Sequence, residues 1–202
     1  MLKKKSTKIA LAIGGVLVVA LAVLAVKFLI LDAKKVEITE TFEGLTWDLK
    51  IEQAERVLER EGYTFIESRA TAFEIKDFGG YEGANGKGAI PNSQDGMLTD
   101  IILYFRAEEM EGVNFDKFAE ACIEELNSKF SKKVSPEKYV EMQKLNQEMN
   151  PGLLDYDENM IQAMYFGDVS AIYIMYYKGQ KLTIGYQSVD SEYSQEMMAL
   201  AE

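Results

Sequence analysis

Apolar residues recur along this chain with two periods, and each change of period marks a new element. Val36-Glu37-Ile38-Thr39-Glu40-Thr41-Phe42 alternates apolar and polar, which predicts a half-buried strand that Gly44 ends. Ile51, Ala54, Val57 and Leu58 then fall at helical spacing, with Asp48 as an N-cap and Gly62 suited to the left-handed position that closes a helix. Tyr63 to Lys76 and Met97 to Arg106 return to strand character. Between them Asp77 to Gly96 holds six glycines in 20 residues, which reads as a long flexible loop.

From Asn114 the helical period resumes. Phe115, Phe118, Ala119, Cys122, Leu126 and Phe130 share one face, and Asn114 is placed to cap it. Ser135-Pro136 opens a second helix through Tyr139, Val140, Leu145 and Met149, which Asn150-Pro151-Gly152 stops. Met164 to Phe166 and Val169 to Tyr177 read as strands, Lys178 to Lys181 as a tight turn, and Leu182 to Ser188 as the returning strand. Asp190 or Ser191 caps a short last helix through Met197 and Leu200. Hairpin-linked strands with helices set apart predict an α+β fold, an antiparallel sheet packed by two or three helices. No internal repeat is visible in the sequence.

Ahead of this pattern lies a segment with no amphipathic period. Ile9 to Val26 is an 18-residue run without a polar side chain, and Phe28-Leu29-Ile30-Leu31 follows Lys27. As a helix it spans about 27 to 35 Å, the thickness of a hydrocarbon core. Lys3, Lys4, Lys5 and Lys8 precede it, so the positive-inside rule keeps residues 1–8 in the cytoplasm and exports the rest. The reading is therefore a basic tail (1–8), a single-pass anchor (9–31), a short link (32–35) and an exported domain (36–202). The alternative is a signal peptide cut after Ala20-Leu21-Ala22, although apolar residues continue past that point. Cys122 is too far along the chain to carry an anchoring lipid.

Composition narrows the chemistry. The chain has 202 residues, one cysteine and no histidine, which excludes an internal disulfide, His-activated nucleophiles and His-ligated metals. Seven lysines and one aspartate lie in residues 1–35, so the remainder holds 15 basic and 32 acidic residues, a net of −17 against −11 for the whole. Such an exterior repels phosphate backbones and makes nucleic acid an unsuitable partner. Cys122, on an apolar stripe among Glu120, Glu124 and Glu125, reads as a core residue.

Several candidate sites remain. Gly83-Ala84-Asn85-Gly86-Lys87-Gly88 lacks the spacing of a phosphate-binding loop and the helix that must follow one. Asp77, Glu82, Asn85, Asn92 and Asp95 are oxygen ligands in the same stretch, a candidate calcium or small-ligand sensor without EF-hand spacing. The many carboxylates leave open a hydrolase using a pair of acids in a cleft, though nothing selects two of them. Tyr173, Met175, Tyr177 and Tyr186 belong to an aromatic and methionine-rich C-terminal hairpin and are candidates for protein contact. No cofactor is implied.

Phe42-Glu43-Gly44-Leu45-Thr46-Trp47, followed by a helix ending at Gly62, resembles the opening of small exported bacterial domains of the β-lactamase-inhibitor-like and BamE-like kind, which begin with Gly-Met-Thr before a helix. The resemblance covers about 20 residues. It implies helices on an antiparallel sheet and a binding or assembly role rather than an enzyme. This chain departs from it in a longer helix, no lipid-anchoring cysteine and no disulfide, so no functional residue carries over. The expectation is a membrane-anchored extracytoplasmic module that contacts an envelope protein.

Overall fold

The computed structural model describes residues 35–66, 71–93, 95–149 and 160–201. The chain divides between Lys35 and Val36, and every described helix and strand belongs to the part from Val36 onward. The basic tail, the anchor 9–31 and the helix stop at Asn150-Pro151-Gly152 lie outside the described residues. Among the described residues no helix is long and apolar enough to cross a membrane.

The fold is α+β. Among the described residues eight strands form one antiparallel sheet: β1 (Phe65–Ile66), β2 (Thr71–Ile75), β3 (Gly86–Ile90), β4 (Asp100–Arg106), β5 (Lys132–Val134), β6 (Met160–Phe166), β7 (Ser170–Tyr177) and β8 (Lys181–Ser188). Four helices accompany them among the described residues, one more than the upper expectation: α1 (Ile51–Arg60), α2 (Phe115–Lys129), α3 (Pro136–Met149) and α4 (Glu192–Met198). The strand order is β1-β2-β3-β4-β8-β7-β6-β5. Each half of the sheet is thus a four-strand meander, and the last strands of the two meanders pair at the centre. This symmetry of topology has no counterpart in a sequence repeat.

Alternation sorts side chains to two faces. The first face carries the main core, with Phe73, Ile75, Ile90, Leu103, Phe105, Ile172, Ile174, Ile184 and Tyr186. Ala54 and Leu58 of α1 and Phe118, Ala119, Cys122 and Leu126 of α2 cover it. Asn114 caps α2 as its position predicts, Oδ1 accepting from the Lys117 N–H at 3.1 Å. The second face carries a smaller cluster at one end, where Tyr139 and Met197 from α3 and α4 meet Val134, Met164, Phe166 and Ala171. Ser191 caps α4 by accepting from the Ser194 N–H. For α1 the expectation of an Asp48 cap is corrected: the helix starts at Ile51, and the Gln53 side chain accepts from the Lys50 N–H at 2.9 Å.

Three further corrections have their cause in pairing rather than pattern. Val36 to Thr41 alternates in burial, but it is an unpaired extended segment and not a strand of the sheet. It is held by single contacts: the Glu37 N–H donates to the Gly79 carbonyl, Lys129 Nζ donates to the Ile38 carbonyl, and the Glu40 carboxylate accepts from the Val169 and Ser170 N–H groups. The Tyr63–Lys76 run contains two strands, β1 and β2, folded on each other. The glycine-rich stretch contains β3, which pairs with β2 and β4. Glycine is required there for space: Gly88 stands opposite Phe73, and a Cβ at 88 would overlap the Phe73 ring. A glycine content that reads as flexibility thus serves close packing. The short edge strand β5 is too brief to register as alternation, and it carries lysines at 132 and 133; charged, brief edges resist further pairing.

Candidate functional site

Part of the second face leaves apolar surface open to solvent. Its residues fall into rows running across the strands. One row reads Glu74, Lys87, Tyr104, Thr183, Met175, Gln162, and the next Ala72, Ala89, Ile102, Gly185, Tyr173, Met164. A third holds Arg106, Lys181, Tyr177 and Met160. The cluster under α3 and α4 takes the Met164 end of these rows. Toward β3 and β4 the face is left more open: Tyr104 is 42% exposed, whereas its neighbours Leu103 and Phe105, pointing the other way, are fully buried.

Ile102, Tyr104, Met175 and Tyr177 therefore form a patch across β4, β8 and β7, with Ala89 beside them on β3. The steps between these strands are about 4.8 Å each. Tyr173 marks its boundary. Its ring crosses Gly185 on the neighbouring strand, and burial, with Asp100, Tyr104 and Tyr193 nearby, pushes its phenol up to about 12. Cations rim the patch. Lys87 pairs with Glu109 at 3.3 Å, Arg106 with Glu108 at 3.4 Å, and Lys181 Nζ lies 4.3 Å from the centre of the Tyr177 ring. Arg106 and Lys181 are direct cross-strand partners, an arrangement of like charges that an isolated sheet disfavours.

The four residues predicted for protein contact separate here. Tyr173, Met175 and Tyr177 share the second face, half-buried. Tyr186 does not: it is 1% exposed on the first face, within the main core, where its ring lies 5.9 Å from Phe42. The cause is register. Tyr177 pairs with Lys181, so Tyr173 meets Gly185 and Tyr186 meets Ile172. Tyr104 and Ile102 are absent from the sequence-based set, although the alternation of β4, with Asp100 and Arg106 on the same side, is a readable sign of them.

The five oxygen ligands do not converge. Asp77 and Asn85 lie together before β3, where Asp77 Oδ1 accepts from the Gly83 N–H at 2.6 Å and Asn85 Oδ1 from the Asp77 N–H at 3.3 Å. Glu82 is exposed on the same side of the strand. Asn92 and Asp95 follow β3, and Asp95 Oδ1 accepts from the Met97 N–H at 3.1 Å. Five strand residues, roughly 16 Å, separate the two groups. Asp77, Asn85 and Asp95 are occupied in shaping turns. Among the described residues no group of three or more His, Cys, Asp or Glu side chains is arranged to hold a metal ion.

Cys122 is fully buried on α2, and burial, with Glu125 nearby, pushes its thiol well up. Among the described residues the carboxylates with a shifted pKa are Asp95, Asp116 and Glu137, and each is lowered, opposite to what a general acid requires.

No protein-family model matches this chain. No curated protein matches it. Among solved structures it is similar to the crystal structure of a GTP binding regulator from Thermotoga maritima, with 18% sequence identity over 81% of this chain and 93% of that chain, at a TM-score of 0.34. That likeness is too distant to bear on fold or function.

Proposed function

We propose that residues 36–202 form an extracytoplasmic binding module, tethered by the 9–31 anchor, that docks an envelope protein on the half of the second sheet face beyond α3 and α4. The observation that carries this reading is the division of that face. Helices cover one half, while the other presents Tyr104, Ile102, Met175 and Tyr177. Tyrosine, methionine and arginine are the residue types enriched where proteins meet. Lys87, Arg106 and Lys181 rim the patch in a domain whose acids outnumber its bases 32 to 15. The partner chemistry that fits is an apolar segment flanked by acids. The exposed pairs of Lys87 and Arg106 are worth little by themselves and exchange readily for a partner's carboxylates.

The test is site-specific photo-cross-linking in native membranes, with a benzoylphenylalanine probe at position 104 and, as control, at the exposed Tyr193 on α4. A single envelope protein captured from 104 and not from 193 is the expected result. Background alone from position 104, repeated at low salt where charge attraction is strongest, overturns the proposal.

A further inference from the structure

The patch around Tyr104 lies in the middle of the sheet, away from its borders. β4 is hydrogen-bonded to β3 and β8, β8 to β4 and β7, and β7 to β8 and β6. These ladders engage the backbone of the three strands, so a segment arriving on the face meets side chains and no backbone partners. The borders offer little in exchange, since β1 has two residues and β5 three, two of them lysines. A strand laid on the face buries its own N–H and C=O groups unpaired, whereas a helix pairs them internally. Helices α3 and α4 already cover the other half of this face in that way.

Charge and spacing narrow the fit further. Arg106 and Lys181 are cross-strand partners and both are exposed. Arg106 reaches Glu108 and Lys181 lies over the Tyr177 ring, so the repulsion between the two cations stands. A carboxylate shared by both removes it. In the adjoining row Tyr104 and Met175 pair with Thr183 from opposite sides, which sets them two strand steps apart, about 10 Å. On a helix that length is about seven residues, two turns, and returns to the same side.

We infer that the partner's docking element is an acidic amphipathic helix laid across β4, β8 and β7. Apolar residues at i and i+7 sit over Tyr104 and Met175, and acids on one flank sit over Arg106 and Lys181. The inference rests on the docking reading above and adds the conformation and register of what docks. A basic helix is opposed by Lys87, Arg106 and Lys181. A second copy of this chain, using the same patch, sets those three cations against their own counterparts.

The test uses the full-length protein in native membranes, with benzoylphenylalanine at position 104 in one preparation and at 175 in another. The partner residues captured from each are located by mass spectrometry. They are expected on one segment, about six to eight residues apart. An extended segment over the same distance places them about three apart. That separation, any other, or capture from two separate segments overturns the inference and leaves docking at the patch standing. No capture from either position overturns the docking reading and this inference together. Arg106→Gln combined with Lys181→Gln is expected to lower capture from 104 by about tenfold or more, because two charged donors are lost. Its melting midpoint is expected to stay unchanged or to rise as the repulsion is removed. Undiminished capture in that variant overturns the seat given to the acids, and with it the acidic helix.

Discussion

Tyr173 and Gly185 stand opposite each other in the β7–β8 ladder, and the phenol ring occupies the space that a side chain at 185 would take. Phe73 and Gly88 repeat the relationship on the other face, between β2 and β3. Each glycine lets an aromatic ring lie across the neighbouring strand. Substitution by alanine forces the ring to move. Phe73 is fully buried and boxed in by Phe42, Tyr63 and Phe65, whereas Tyr173 is half-buried and has somewhere to go. Gly88→Ala is therefore expected to destabilise by about 2–3 kcal/mol and Gly185→Ala by about 1–2 kcal/mol. Denaturant melts of the two variants, read as midpoint shifts at unchanged slope, check both the sign and the order.

Much of this fold is legible in the sequence because alternation records burial directly: β4, β7 and β8 fall where the pattern places them, as do α2 and its Asn114 cap. What stays hidden depends on pairing. The Val36–Thr41 segment alternates because one side of it is buried, which needs no ladder. β3 is concealed by Gly86 and Gly88, and the ring that needs the space at Gly88 lies in another strand. The exposed patch is half visible, through Tyr173, Met175 and Tyr177. Tyr186 groups with them by composition but not in space, because the face it takes depends on the three-residue turn before β8, a matter of register.

Glu40 is expected to matter more than a half-exposed acid usually does. Its carboxylate accepts from two backbone N–H groups at the turn between β6 and β7, and Trp47 Nε1 donates to the buried Ser170 hydroxyl beside it. Glu40→Gln keeps the shape but removes the charge. A loss of about 1–2 kcal/mol is expected, with the melting midpoint of the full-length protein in detergent as the readout.

Acid sensitivity should report on Asp116. Its carboxylate accepts from Tyr176 Oη at 2.5 Å and the Gly179 N–H at 2.8 Å, which ties the start of α2 to the β7–β8 turn. The Tyr176 bond first, then the Gly179 N–H and Lys178, hold its pKa below the ordinary 3.8. Unfolded chains then bind the proton more readily than folded ones. The stabilisation is present above the ordinary pKa and is lost as pH falls through it toward the folded value. Asp116→Asn is expected to melt lower at pH 7 and to show a shallower decline in midpoint between about pH 5 and pH 2.5. An unchanged slope would count against the role given to this carboxylate.

The thiol of Cys122 should be silent in the folded protein. It is fully buried, and burial favours its neutral form. Labelling by a thiol reagent at pH 8 is expected to follow the opening of the α2 core, with the rate rising in parallel with denaturant-induced unfolding. Rapid labelling in native buffer would place α2 loosely on the sheet.

Tyr104→Ala removes exposed aromatic surface and no core contact of the first face. Stability within about 0.5 kcal/mol of the parent is expected, together with loss of the partner captured at that position when the probe is moved to Met175. Thermal melts and pull-down yield, measured on the same preparation, separate folding from docking.

The central pairing of β4 with β8 joins residues roughly 80 apart in the chain, whereas every other pairing in the sheet links consecutive strands. A chain emerging N-terminus first completes its first meander and then presents β4 as a bare edge until the last strand arrives. During that interval the exposed ladder of Asp100–Arg106 is open to any passing strand, including a second copy of itself. Assembly of this sheet is thus a race between the arrival of β8 and intermolecular pairing, and slowing the delivery of the C-terminal hairpin should raise aggregation without altering the stability of the finished protein.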